Sequence, residues 1–286
     1  MPSTSINDCA IHYEVHGTGV PVVLTGGGRE GCEESRPLAE ALAGKYQVIL
    51  WDRATIGQSD VQFDGPRDLE LWATQLHELL RRLDVGPAYL VGPSNGARVS
   101  MVTALRYPAI VKGLFLFLIT GGSDRAVRNL SEVFVATHQA IETGGMEAVT
   151  ELPFWRDRIA ANPANRGRLL AMAPAEAQPT MRRWADAFDP SHRIMGLSDD
   201  DLRRIKVPAR VLDATEPTDL MRRYNRELAE RLPNADLIAD ADFQQEWTEL
   251  CQRHGLGAGH YTEAPSLARL VDAFVSEREA ALACTG

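Results

Sequence analysis

Short apolar runs of strand length alternate with helical stretches over the first 120 residues and again after residue 205, and this rhythm limits the chain to a narrow set of folds. Val22-Val23-Leu24, Tyr46 to Trp51, Tyr89-Leu90-Val91 and Gly113 to Ile119 are compact runs, as strands covered on both faces should be. Ile11 to Val15 alternates and reads as a further strand. Between them, Pro37 to Leu42 looks like the core of a helix. Leu69, Trp72, Leu76, Leu79, Leu80 and Leu83 recur at three-to-four spacing, which predicts an amphipathic helix. Ala97 to Leu105 predicts a helix that ends before Pro108. Strand and helix in alternation, joined by short connections, imply an α/β fold: a mostly parallel, doubly wound sheet with helices on both faces.

The rhythm stops near Gly121-Gly122. Residues 123–204 carry helical segments, such as Leu130 to Glu142 and Met181 to Phe188, and no convincing strand. It resumes at Val207-Pro208 with a strand at Ala209 to Leu212. A helix near Leu220 to Leu232, a strand at Ala235 to Ala239 and a last helix near Ser266 to Ala281 follow. The expected organisation is one core domain, 1–122 and 205–286, with a helical cap inserted at 123–204, a common size for a subdomain.

The formal charge of -9 and the lack of a Lys/Arg cluster argue against nucleic acid as a partner. No apolar run approaches the ~18 residues of a membrane span, and the first residues lack the basic and apolar regions of a signal peptide. Cys9, Cys32, Cys251 and Cys284 are scattered and form no CxxC pair, so a reducing cytoplasm is expected. No metal-ligand spacing or redox motif stands out. No metal and no cofactor are expected, and the expected partner is a small-molecule substrate. The sequence leaves monomer and homodimer open.

The sharpest local signal is Gly92-Pro93-Ser94-Asn95-Gly96, which follows a predicted strand and opens a predicted helix. This is the Gly-x-Ser-x-Gly turn in its required context. Side chains at the flanking glycines would collide with backbone, and the helix N-terminus points partial positive charge at the serine. A serine needs a base. Among seven histidines, His260 lies in the glycine-rich loop Gly257-Ala258-Gly259-His260 just before the final helix, with His254 as the fallback. His12, His16, His77 and His192 read as surface or satisfied core residues, and His138, in the expected insertion, as a surface residue with a substrate-facing position as the alternative. A base needs an orienting carboxylate. Asp213-Ala214-Thr215-Glu216-Pro217 follows the strand at Ala209 to Leu212, and Glu216 is favoured there over Asp213. An oxyanion needs backbone donors. Asn95 supplies one, and the bare stretch Thr25-Gly26-Gly27-Gly28 supplies the other, with Gly27 as the candidate.

Taken together, the chain resembles the α/β-hydrolase superfamily, in the group with a helical cap after the sixth strand. The resemblance rests on His12-Tyr13-Glu14-Val15-His16-Gly17, Val22 to Gly27, Asp52-Arg53 with Gly57-Gln58-Ser59, the Ser94 turn, Val207-Pro208, and Gly257 to His260 with Glu263-Ala264-Pro265. It covers most of the chain outside the insertion. The chain departs from the family at Thr25, where members carry histidine, at Glu216, where they carry aspartate, and at Ala54-Thr55-Ile56-Gly57, where they carry Arg-Gly-His-Gly.

The resemblance implies a serine hydrolase. Ser94 attacks, His260 moves the proton, Glu216 orients the ring, and Gly27 and Asn95 hold the oxyanion. The expected substrate is a small or medium, largely apolar ester, lactone or thioester, touched by Thr25, Phe154, Trp155 and Trp184. Two rivals share the site. One is a non-acylating enzyme of the same fold: a carbon–carbon bond hydrolase, a lyase or a cofactor-free oxygenase. The other is a small-molecule receptor with little turnover.

Overall fold

The computed structural model describes residues 2–28, 30–119, 125–187, 196–213, 219–255 and 259–284, with the side chains of 125–131 and 219–221 left aside. In chain order the elements are β1 (Ser3–Ile6), β2 (Cys9–His16), β3 (Val20–Leu24), α1 (Cys32–Leu42), β4 (Tyr46–Trp51), α2 (Asp68–Arg82), β5 (Ala88–Pro93), α3 (Ser94–Arg106) and β6 (Val111–Phe117). Five helices follow: α4 (Arg125–Thr150), α5 (Pro153–Ala161), α6 (Ala164–Ala171), α7 (Pro174–Asp186) and α8 (Asp199–Arg204). The chain then runs through β7 (Ala209–Leu212), α9 (Asp219–Arg231), β8 (Ala235–Ile238), α10 (Ala241–His254), a 3-10 turn at His260–Glu263 and α11 (Pro265–Ala283).

The eight strands form one sheet in the order β1-β2-β4-β3-β5-β6-β7-β8. β1 and β2 run antiparallel to their neighbours, and every pairing from β4 to β8 is parallel. Period two sorts the strand side chains onto the two faces. Val23, Leu90, Leu114 and Leu116 join the core under α2 and α3, whereas Val22, Leu24, Tyr89, Val91, Phe115 and Phe117 face α1, α10 and α11. Both faces are covered, which is why these strands read as continuous apolar runs.

β3 lies between β4 and β5, so the connections from β3 and into β5 leave on opposite sides. Leu24 is in register with Val91. The loop that follows Leu24 and the turn that follows Pro93 therefore emerge side by side at the carboxyl edge. A doubly wound sheet forms its crevice at such a reversal of strand order.

Two elements differ from the sequence reading. β1 was not expected; it folds back on β2 through Asn7 (φ 49°) and Asp8 (φ 61°), residue types that tolerate this left-handed geometry. The stretch between β8 and His260 forms α10, a helix absent from the sequence reading. Phe243 and Trp247 are buried in the core beside Phe117 and Tyr261, and Glu246 accepts a hydrogen bond from the Ser266 N–H (3.1 Å).

The helices of 125–204 attach to the sheet through buried polar contacts on α6. Asn165, 1% exposed, accepts from the Val61 N–H (2.7 Å) and donates to the Ser59 and Arg158 carbonyls (both 3.3 Å). Arg168 pairs with the buried Asp60 at 2.5 Å, and the same carboxylate accepts from the Ala10 N–H at 2.8 Å. Truncating Asn165 leaves the Val61 N–H buried without an acceptor. Asn165→Ala is expected to cost about 2 kcal/mol, seen as a lower urea midpoint at unchanged slope. An unchanged midpoint would show that water replaces the lost amide.

Candidate active site

Ser94 sits at φ 47° between the end of β5 and the first turn of α3. A serine held in this left-handed region is strained by about 1–3 kcal/mol, and its neighbours explain how it is held there. A Cβ on Gly92 would stand 2.6 Å from the Gly96 carbonyl carbon, and a Cβ on Gly96 would run into the Thr25 carbonyl oxygen. Bare backbone at both positions lets the turn close against the β3 loop. The Ser94 side chain stays half-buried while everything around it from Val91 to Ser100 is buried.

Asn95, in the first turn of α3, is buried. Its side chain accepts from Arg98 Nη1 at 2.9 Å. Arg98 is itself buried, and burial lowers its pKa to about 10, against the pull of the nearby Asp68.

The β3 loop is built differently from the expectation. The Gly27 N–H, the expected second oxyanion donor, donates to Glu30 Oε2 at 2.6 Å. The Tyr261 hydroxyl donates to the same carboxylate oxygen. Arg53, 1% exposed, donates through Nη2 to the carbonyls of Gly27 and Glu30, the latter at 3.2 Å, and its guanidinium lies 5.0 Å over the Trp72 ring. Burial raises the Glu30 pKa, with Tyr261, Gly27 and Arg53 opposing. Burial also lowers Arg53 to about 10, with Glu30 opposing. Glu30, Arg53 and Tyr261 thus form one buried polar cluster behind the loop. Sequence reasoning missed Glu30 and Tyr261. The available signals were a glutamate inside a glycine-rich loop and a tyrosine directly after the candidate base.

Thr25 does not open onto a substrate surface. It is 1% exposed, and its Oγ1 accepts from Trp51 Nε1 at 2.9 Å. The hydroxyl fixes the strand-end tryptophan beneath the loop.

His260 opens the 3-10 turn after Gly259, which is left-handed (φ 75°). The ring is part-exposed. Its Nδ1 lies 2.8 Å from Glu263 Oε1, and it stacks on His254 with centroids 3.9 Å apart. The fallback base therefore packs against the first choice. Among the described residues no hydrogen bond joins Ser94 to His260. The favoured acid, Glu216, lies outside the described residues. The other candidate, Asp213, follows β7. Its N–H donates to the Ile238 carbonyl at 2.7 Å. Its carboxylate is buried, with Oδ1 lacking a hydrogen-bond partner and Oδ2 3.7 Å from Arg226 Nε.

Phe154, Trp155 and Trp184 do converge. With Gly28, Ile56 and Trp72 they line a narrow apolar cavity between the β3 loop and the inserted helices. Space for a water-sized body is only about 20 Å³ there. Trp155 is anchored by its Nε1, which donates to Thr137 Oγ1 at 2.8 Å, and Phe63 packs on it at 5.0 Å.

No family model matches the chain. Among curated proteins, "Putative carbamate hydrolase RutD" of Azorhizobium caulinodans is 30% identical over 253 residues, 85% of this chain and 90% of that one. The 2-hydroxymuconate semialdehyde hydrolase of Pseudomonas sp. (strain CF600) is 25% identical over 93% of this chain and 90% of that one. Among solved structures, Est816, an N-acyl homoserine lactone degrading enzyme, aligns with a TM-score of 0.61 at 22% identity, covering 96% of this chain and 100% of the other. The enol-lactonase from Burkholderia xenovorans LB400 aligns with a TM-score of 0.61 at 19% identity, over 96% and 100%. These two show the fold. With the eight-stranded sheet, the serine turn at its carboxyl edge and 30% identity over most of both chains, the protein belongs to the α/β-hydrolase superfamily of enzymes.

Proposed function

We propose that the chain is a serine hydrolase that forms an acyl-enzyme at Ser94. The observation that carries this reading is the strained Ser94 turn, wedged by Gly92 and Gly96 against the β3 loop. In the proposed reaction His260 accepts the Ser94 proton as the hydroxyl oxygen attacks the acyl carbon. It returns that proton to the leaving group, and water then releases the acid. Glu216 orients the imidazole, with Asp213 as the alternative because of its buried, half-partnered carboxylate. Residues 123–204 act as a cap over the carboxyl edge. The substrate is a small or medium, largely apolar ester, lactone or thioester, its apolar part between Phe154, Trp155 and Trp184.

The Asn95 N–H is the first oxyanion donor, and the Gly27 N–H is the second once Glu30 releases it. A carboxylate beside a developing oxyanion repels it, so Glu30 in its charged form slows acylation.

A second reading has one observation in its favour. Ser94 and His260 are not hydrogen-bonded to each other, and the expected oxyanion donor is already engaged. A site in that state suits proton transfer without acylation. That is the class in which a carbon–carbon bond hydrolase falls.

A fluorophosphonate probe followed by intact-mass measurement separates the two. Acylation predicts one adduct on wild type, none on Ser94→Ala, and labelling slowed by about 10⁴-fold or more on His260→Ala. A well-folded wild type that stays unlabelled sinks the acylating reading. The orienting acid is found in the same assay. Glu216→Gln is expected to slow labelling by roughly 10⁴-fold, while Asp213→Asn and Glu263→Gln stay within about tenfold of wild type. A large loss in Asp213→Asn with Glu216→Gln unaffected would reassign the acid.

The role of Glu30 has its own pH signature. Burial holds its proton on to higher pH than an ordinary glutamate. Below its pKa the wild-type carboxyl is neutral and equivalent to glutamine. Glu30→Gln should therefore label about tenfold faster at high pH, part of the ~10²–10³ that one oxyanion donor supplies. The advantage should vanish as pH falls. A ratio that does not change with pH would show that Glu30 acts only as packing.

A further inference from the structure

The geometry points to a binding site for a thiophilic divalent cation, Zn²⁺ by its donor set, formed by His12, Glu14 and Cys32. Nothing in the Ser94 chemistry uses these residues. His12, Glu14 and His16 share one face of β2 by its period of two, and Cys32 opens α1 where that helix packs over the same face. One ligand atom each from His12, Glu14 and Cys32 lie within 4.8 Å of one another.

The observation that singles this cluster out is His12. It is 4% exposed, and its Nε2 has no hydrogen-bond partner. The nearest carboxylate oxygen, Glu14 Oε1, is 3.7 Å away. A buried ring nitrogen left unmatched costs about 1–3 kcal/mol, which a metal bond would recover. Cys32 is 3% exposed. Nitrogen, oxygen and sulfur donors in one buried cluster are the set that suits zinc.

The charges favour a dication. Glu14 accepts from Arg36 Nη2 (2.7 Å) and Nε (3.1 Å) and lies 3.0 Å from His16 Nε2. That pair is close to neutral. Asp52 adds negative charge beside Cys32, its Oδ1 accepting from the Cys32 N–H at 2.7 Å. When a cation binds, the Cys32 S–H bond breaks, the S–metal bond forms and the proton leaves to buffer. Thiolate and Asp52 together then offset the double positive charge. Tetrahedral bonds of about 2.0–2.3 Å put donor atoms roughly 3.3–3.8 Å apart, so closure draws the three together by about 1.5 Å at most. His16, part-exposed on the same face, can complete the set. His16 and Arg36, which both contact Glu14, are part-exposed.

Such a metal would staple β2 to the first turn of α1. That turn ends the loop that carries Gly27 and Glu30.

Cadmium reports a thiolate ligand by its near-ultraviolet charge-transfer band, which makes it the probe. The full chain, reduced and stripped with chelator, is titrated with Cd²⁺ in a Cys251→Ser/Cys284→Ser background. His254→Ala is included to remove the exposed His254, His260 and Glu263 group, which also brings three ligand atoms together. The proposal expects one Cd²⁺ per chain with a thiolate band. Cys32→Ser should abolish the band, and His12→Gln should weaken binding by about 10²-fold. Zn²⁺ should compete the band away and raise the melting temperature of the parent but not of the variants. If Cys32→Ser fails to fold by circular dichroism, His12→Gln, which keeps the side-chain shape, carries the test. No band, or a band unchanged in both variants, overturns the site.

Discussion

The backbone at Ser94 is the constraint from which the rest of the site follows. Three residues other than Asn, Asp or Gly have positive φ among those described: Thr55 at 75°, Ser94 at 47° and Leu118 at 50°. Each comes shortly after a parallel strand, β4, β5 or β6, at the same carboxyl edge. Asn7, Asp8 and Asp84 also have positive φ, but these residue types adopt it at little cost. Strain of ~1–3 kcal/mol per residue is thus concentrated where the strand order reverses. It persists because buried, register-locked strands on both sides leave the turns no freedom to relax. Leu24 is paired with Val91 and Pro93 with Phe117.

A glycine-rich loop cannot hold its own shape, and the β3 loop is shaped from outside. Arg53 uses its donors on the carbonyls of Gly27 and Glu30 and rests on Trp72. A guanidinium that deep is strongly penalised by desolvation, yet at a pKa of about 10 it remains charged at neutral pH. A buried charge needs a partner, and Glu30 is the carboxylate supplied. The cluster therefore explains two things at once. It shows why the Asp52-Arg53 stretch matters to a loop some 25 residues away. It also accounts for the carboxylate that holds the Gly27 N–H. Asp52 does a parallel task, accepting from the Cys32 and Gln58 N–H groups to fix the start of α1 and the turn after β4.

What the sequence reveals depends on whether the signal is local. Tyr46 to Trp51 matches β4 end for end, and the three-to-four spacing from Leu69 falls one residue from α2. The strand is covered on both faces and the helix is periodic on one, so hydrophobicity alone marks each of them. The Ser94 turn was legible because its glycines answer a steric need within five residues. β1 was not legible, because Ser3-Thr4-Ser5-Ile6 is polar and earns its strand only by pairing with β2. The residues around Gly27 were not legible either. Glu30, Arg53 and Tyr261 meet only through tertiary packing, and no spacing in the chain announces them. Thr25 shows the same limit from the other side. Its replacement of a family histidine suggested a substrate contact, whereas the fold uses its hydroxyl on Trp51.

The inserted helices meet the core through two kinds of contact, and the difference bears on how a substrate enters. On α6 the contacts are directional: Asn165, buried, to Val61 and Ser59, and Arg168, part-exposed, to the buried Asp60. Around the narrow cavity they are apolar, with Phe154, Trp155 and Trp184 facing Ile56 and Trp72. Breaking the first set strands buried donors and acceptors at about 1–3 kcal/mol each. Separating the second set exposes apolar surface at about 25 cal/mol per Å², a loss that an apolar ligand entering the gap restores. The cavity as it stands admits little more than a water molecule. An opening that keeps the α6 contacts and parts the aromatic ones is therefore the displacement of lowest cost, and its cost falls as the ligand covers more of the parted surface. That coupling favours ligands in proportion to the apolar area they cover in the gap.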